Sequence, residues 1–141
     1  MCIASESSKK TDSEHLQKYL NLYRRSHLLI HPTRFDPSPL VPSEAAAFGV
    51  PTITNSAGGM ATTVADGVSG IVLPKGSPPE SYVNEIIMLV RDTARYTQLR
   101  NTTRNRYERE LNWEVNSKRL AEIVTQVAER REIVQPKWDS E

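Results

Sequence analysis

The chain is 141 residues long, the size of one domain. Hydrophobic residues make up 38% of it, below the roughly 45–50% usual for globular chains, which leaves material for one modest core and excludes two. A net charge of +1 neither favours nor disfavours a polyanionic partner, and the longest apolar stretches, residues 28–30 and 86–90, fall far short of the roughly 20 residues that cross a bilayer.

Residues 1–12 are polar and read as a loose leader. Cys2 is the single cysteine, so no intramolecular disulfide can form, and a surface thiol in a reducing compartment is expected. The first residues lack a basic region followed by an apolar stretch, so no signal peptide is expected. The expected location is the cytosol, with at most peripheral contact with a membrane from that side.

Thr11 and Glu14 have capping-box spacing. Leu16, Tyr19, Leu20 and Tyr23 then recur at helical spacing, with Arg24 and Arg25 in the last turn, and predict a helix over 14–26. Residues 27–31 form a short apolar run stopped by Pro32, which reads as a buried strand. Residues 32–42 hold four prolines and exclude a regular element. A short helix is expected over 42–48, with Pro42 at its start and Gly49 after its end. Residues 52–54 read as a second strand, Gly58 and Gly59 as a tight loop, and 60–65 as a helical turn. Residues 70–73 read as a third strand, ended by Pro74.

The remainder is helical. Residues 80–91 place Tyr82, Val83, Ile86, Ile87 and Val90 on one face. Residues 93–110 are marked only by Tyr96, Leu99 and Tyr107. Residues 113–131 carry Trp113, Leu120, Ile123, Val124 and Val127, a stripe read as core. Residues 132–141 look like a frayed tail. Strands alternating with helices predict an α/β domain over 13–131, a partial Rossmann-like parallel sheet of about three strands flanked by helices. A complete doubly wound domain has about five or six strands.

The segment 36–44 lies between a strand end and a helix start, where open α/β sheets bind ligands. A helix N-terminus there offers unpaired N–H groups to a phosphate. Pro37, Pro39 and Pro42 have no N–H, so the amides left are those of Ser38, Leu40, Val41, Ser43 and Glu44. The prolines also stiffen the loop, which lowers the entropy lost on binding. Asp36 and Glu44 flank this anion site. Repelled by phosphate, they are better placed to accept hydrogen bonds from sugar hydroxyls.

The series Arg34-Phe35-Asp36-Pro37-Ser38-Pro39-Leu40-Val41-Pro42-Ser43-Glu44-Ala45-Ala46-Ala47-Phe48-Gly49-Val50-Pro51, then Gly58-Gly59, then Asp66-Gly67-Val68-Ser69-Gly70, resembles the donor-site signature of glycosyltransferase family 4. Asn112-Trp113-Glu114, within 107–124, resembles the family's C-terminal helical segment. The resemblance implies the C-terminal half of a two-domain, metal-independent, retaining glycosyltransferase. It implies Glu44 at the ribose hydroxyls of a nucleotide diphosphate sugar and Asp36, as the catalytic-site acid, at the transferred sugar. It further implies the Leu40 and Val41 amides at the diphosphate, beside the Ser38 amide that the loop itself offers to a nucleotide sugar, with Gly58 and Gly59 shaping the adjoining loop. Asp36 stands where the family usually has Glu, and Pro39 where it usually has Gly. The acceptor domain and the early strands that bring an Arg and a Lys to the diphosphate have no counterpart in this sequence.

Two functions follow as expectations. One is the donor-binding fragment of a glycosyltransferase acting on a sugar or lipid acceptor, inactive alone and requiring the missing acceptor domain. The other is a non-catalytic relative that binds a nucleotide or a partner subunit. Self-association through the exposed edge of strand 27–31 is expected. No metal cofactor and no nucleic acid partner is expected. His15 and His27 lack metal-ligand spacing, and His31 reads equally as structural or as a substrate contact. Arg95, Arg100, Arg104, Arg106 and Arg109 read as a solvated helix face, with anionic lipid as the weaker alternative.

Overall fold

A computed structural model describes residues 13–132. The leader at 1–12, with Thr11 of the expected capping box, and all but the first residue of the expected tail lie outside the described residues. Helix α1 spans Ser13–Arg25 and strand β1 Leu29–His31. Helix α2 is Val41–Ala46, strand β2 Thr52–Asn55, helix α3 Met60–Thr63 and strand β3 Gly70–Leu73. Helix α4 covers Pro79–Arg91 and α5 Thr93–Arg106. A π-helical turn, Tyr107–Leu111, leads into α6, Trp113–Glu132.

The sheet is parallel throughout, in the order β1-β2-β3, with Ile30 opposite Ile53 and Ile53 opposite Ile71. Among the described residues β1 pairs with β2 alone, so its other flank is an open edge. The partial Rossmann-like α/β fold expected from the sequence is therefore the one found.

Two apolar clusters cover the two faces of this sheet. Ile53, Ile71, Tyr82, Leu89 and Leu99 join β2 and β3 to α4 and α5, with Leu28 packed against them. Tyr23, Ala45 and Val50 join α1 to α2, with Leu29 and Phe48 alongside. Leu28 and Leu29 go to different clusters because successive residues of an extended chain point to opposite faces.

Three expectations about the helices need correction. On α4 the buried residues are Tyr82 and Leu89, with Ile86 half-buried, while Val83, Ile87 and Val90 are exposed. The face that meets the sheet follows i, i+4, i+7 and is narrower than the apolar stripe. On α6 the stripe read as core is exposed along its length, from Trp113 at 82% to Val127 at 49%. Amphipathic spacing creates an apolar face but supplies no partner for it, and α6 packs chiefly on the π turn. The long helix expected over 93–110 ends at Arg106. There Asn112 donates to the carbonyls of Tyr107 at 3.0 Å and Glu108 at 2.8 Å, and accepts the Val115 amide at 2.9 Å. One side chain thus closes the π turn and caps α6.

Candidate functional site

The loops that follow β1 and β2 emerge at the carboxyl edge of the sheet. Two buried polar residues of β2 fix where the first of them departs. The Thr54 hydroxyl donates to the His31 carbonyl at 2.8 Å. The Asn55 amide donates to the Thr33 carbonyl at 2.9 Å and accepts the Thr33 N–H at 3.2 Å. Asn55 thereby extends the strand pairing by one side chain. Sequence reasoning passed over both residues, although two polar residues ending a buried strand are a signal that they hold something in place.

Asp36 sits in this loop with both carboxylate oxygens near protein groups. Oδ1 accepts the Ser38 N–H at 3.2 Å, an Asx turn. Oδ2 lies 3.5 Å from His31 Nε2, and the two side chains are 28% and 25% exposed. The turn-capping role of an Asp before Pro is therefore present. The Ser38 amide, predicted as a phosphate donor, is engaged by Asp36 instead.

Gly58 and Gly59 pack directly on the backbone of this loop. The Gly59 N–H donates to the Asp36 carbonyl at 2.8 Å. A Cβ on Gly58 would stand 2.3 Å from the Asp36 carbonyl oxygen, and its φ of +62° disfavours any side chain. A Cβ on Gly59 would stand 2.6 Å from the Pro37 carbonyl oxygen and 3.3 Å from the Pro39 ring. The glycine pair therefore serves loop-to-loop contact. Pro39, at the position where the resemblance implies a glycine, is buried, and its ring faces Gly59.

Helix α2 begins at Val41 after Leu40, which offers no side-chain cap. The amides of Leu40 and Val41 donate to no group among the described residues, and both side chains are exposed. The Glu44 amide donates back to the Leu40 carbonyl at 2.9 Å. Of the three amides assigned to a phosphate, those of Leu40 and Val41 retain donor capacity.

The Glu44 carboxylate turns toward α1. Its Oε2 accepts the Tyr19 hydroxyl in a short hydrogen bond and the Tyr23 hydroxyl at 3.0 Å. The two hydroxyls are 3.1 Å apart, and the rings meet edge to face at 5.2 Å. Tyr23 also stacks on Phe48 at 5.5 Å. Burial, the bond to Tyr19 and the negative charge of Glu44 push the Tyr23 phenol well above its ordinary range, so it keeps its proton and donates. The sequence showed these tyrosines only as apolar marks of a helix.

The arginine stretch is less solvated than expected. Arg106, 11% exposed in its side chain, donates to the carbonyls of Thr62 at 2.8 Å and Thr63, and to the Ser69 hydroxyl at 2.9 Å. Arg104 donates to the Ala47 carbonyl, and Arg100 Nε to that of Gly49 at 3.2 Å. The Ala47, Thr62 and Thr63 carbonyls lie at the ends of α2 and α3, where a cation also suits the helix dipole. Arg95 lies 3.7 Å from Glu85. Three of the five cations thus clasp backbone, and Arg109 stays exposed. No helix among the described residues is long and apolar enough to cross a membrane.

The site therefore offers open amides at a helix start, those of Leu40 and Val41 among them, flanked by one carboxylate turned onto its own loop and another held by phenols. Such a set can bind a phosphate and accept hydrogen bonds from hydroxyls.

The family model for glycosyl transferases group 1 matches residues 13–106. A D-inositol 3-phosphate glycosyltransferase of Thermobispora bispora is 33% identical over 77% of the chain and 25% of its own length. Another, of Catenulispora acidiphila, is 42% identical over 55% of the chain and 18% of its own. The sucrose-phosphate synthase of Thermosynechococcus elongatus superposes with a TM-score of 0.68 at 26% identity, over 80% of this chain and 28% of that one. The chain spans a quarter or less of the length of these two curated relatives. With the acid loop, the glycine pair and both clusters inside the matched residues, the chain belongs to the glycosyl transferases group 1 family.

Proposed function

We propose that this chain supplies the donor side of a retaining glycosyltransferase, binding a nucleotide diphosphate sugar across the loop 36–44. The observation that carries this reading is the pair of open amides, Leu40 and Val41, between two carboxylates at the carboxyl edge of a parallel sheet. In this reading Glu44 takes the ribose hydroxyls and the Leu40 and Val41 amides take the diphosphate. Asp36 stands nearest the transferred sugar. Gly58 and Gly59 act indirectly, by holding the acid loop in place. The Anabaena protein HepE, which superposes with a TM-score of 0.68 at 22% identity over 74% of this chain and 29% of that one, was solved in complex with UDP, and UDP is taken as the first probe. Catalysis stabilises positive charge on the sugar and negative charge on the departing diphosphate. We assign neither the cations for that second task nor the sugar or lipid acceptor to residues of this chain. No metal is required, so a chelator leaves affinity unchanged.

Calorimetry with UDP, GDP and their sugars tests the reading. Binding at or below millimolar concentration is expected, and Glu44→Ala should weaken it by about tenfold or more. Absence of binding to every one of these ligands rejects a working donor site.

A second reading, a non-catalytic relative that binds a nucleotide or a partner subunit, is favoured by one observation. Both oxygens of Asp36 already face protein groups, Ser38 and His31. Sugar transfer measured with the purified chain would reject it. The open edge of β1 suits a further strand, from a longer chain or a second copy. Size-exclusion chromatography that shows a compact monomer rejects the second copy. The single thiol is consistent with the cytoplasmic face of a membrane or the cytosol, which cell fractionation checks.

A further inference from the structure

Glu44 has three rotatable side-chain bonds, and such a side chain loses much rotamer freedom when it is fixed. Here that freedom is removed before any ligand arrives. Two hydroxyls, from Tyr19 and Tyr23, converge on one oxygen, Oε2. A carboxylate offers about four acceptor positions on two oxygens, and both hydroxyls take the same oxygen. The donors are themselves held. Tyr23 is 9% exposed and stacks at 13° on Phe48, and Tyr19 packs edge-on against Tyr23. Phe48 follows α2, the helix that carries Glu44, so the clamp closes between α1 and α2. Because the Tyr23 phenol stays protonated, the direction of its hydrogen bond is fixed. Asp36 has no comparable support. Its partners are one amide of its own loop and one imidazole.

We infer that Tyr19 and Tyr23 are positioning residues for the nucleoside: their hydroxyls orient the Glu44 carboxylate to accept the ribose hydroxyls. This rests on the donor-site reading of Glu44 given above. Both tyrosines act through Glu44, which their hydroxyls hold. Their effect falls on the ribose, because in the donor-site reading that is the part of the nucleotide assigned to Glu44.

The test compares UDP with 2′,3′-dideoxy-UDP by calorimetry on the full chain and on Tyr19→Phe and Tyr23→Phe. The phenylalanine rings keep the aromatic packing and remove one hydroxyl each. The wild-type chain is expected to prefer UDP. Each variant should bind UDP about threefold to tenfold more weakly and bind the dideoxy analogue as before. A role confined to helix packing would weaken both nucleotides alike or neither, and that result, with the wild-type preference intact, overturns the inference and leaves the donor site standing. A wild-type chain with no preference overturns the reading of Glu44 and the inference together. Circular dichroism melts establish that each variant folds. Tyr19, the less buried of the two, carries the test if Tyr23→Phe does not.

Discussion

The sheet region and helix α6 both carry apolar residues at regular spacing, but only the first covers them. Between β1 and α5 the side chains of Ile53, Leu89 and Leu99 are buried against residues distant in sequence. Along α6 the equivalent stripe, Leu120, Ile123, Val124 and Val127, faces solvent. The two regions differ in tertiary partners rather than in pattern. Periodicity states which side of an element is apolar, and a second element must be present for that side to become core.

The largest expected effect comes from the buried side of the comparison. Ile53→Ala removes a fully buried side chain from the middle of the central strand and should cost about 2–5 kcal/mol in denaturant melts. Next is Arg106→Ala, which removes the donor to the Thr62 and Thr63 carbonyls and should cost about 1–3 kcal/mol. Arg106→Lys should restore little, because one ammonium cannot fork to both carbonyls and the Ser69 hydroxyl as the guanidinium does. The smallest effect is expected on α6, where Ile123→Ala should shift stability by no more than about 0.5 kcal/mol. A loss there comparable to that at Ile53 would break the comparison, since it would mean that the stripe is covered in solution.

Much of the fold was legible because its signals are local. Pro32 and Pro74 stop strands, Gly49 follows a helix, and the strand at 70–73 has the bounds expected. The acid loop was legible as a loop for the same reason. What stayed hidden depended on contacts between distant segments. Tyr19 and Tyr23 are helical apolar marks in sequence, and only the approach of α1 to α2 turns their hydroxyls onto Glu44. The arginines of α5 look like a solvated cationic face, and only the placement of the ends of α2 and α3 gives them carbonyls to hold. The stripe on α6 differs in the opposite direction, because its spacing is that of a core face and no described element covers it.

The contact between the two loops also has a use as a reporter. The Gly59 amide is tied to the Asp36 carbonyl, so its proton can exchange with solvent only when the two loops part. Its exchange rate therefore reads the opening of the acid loop from a residue that lies outside it. A ligand that orders residues 36–44 would slow that one proton even if it never touched Gly59.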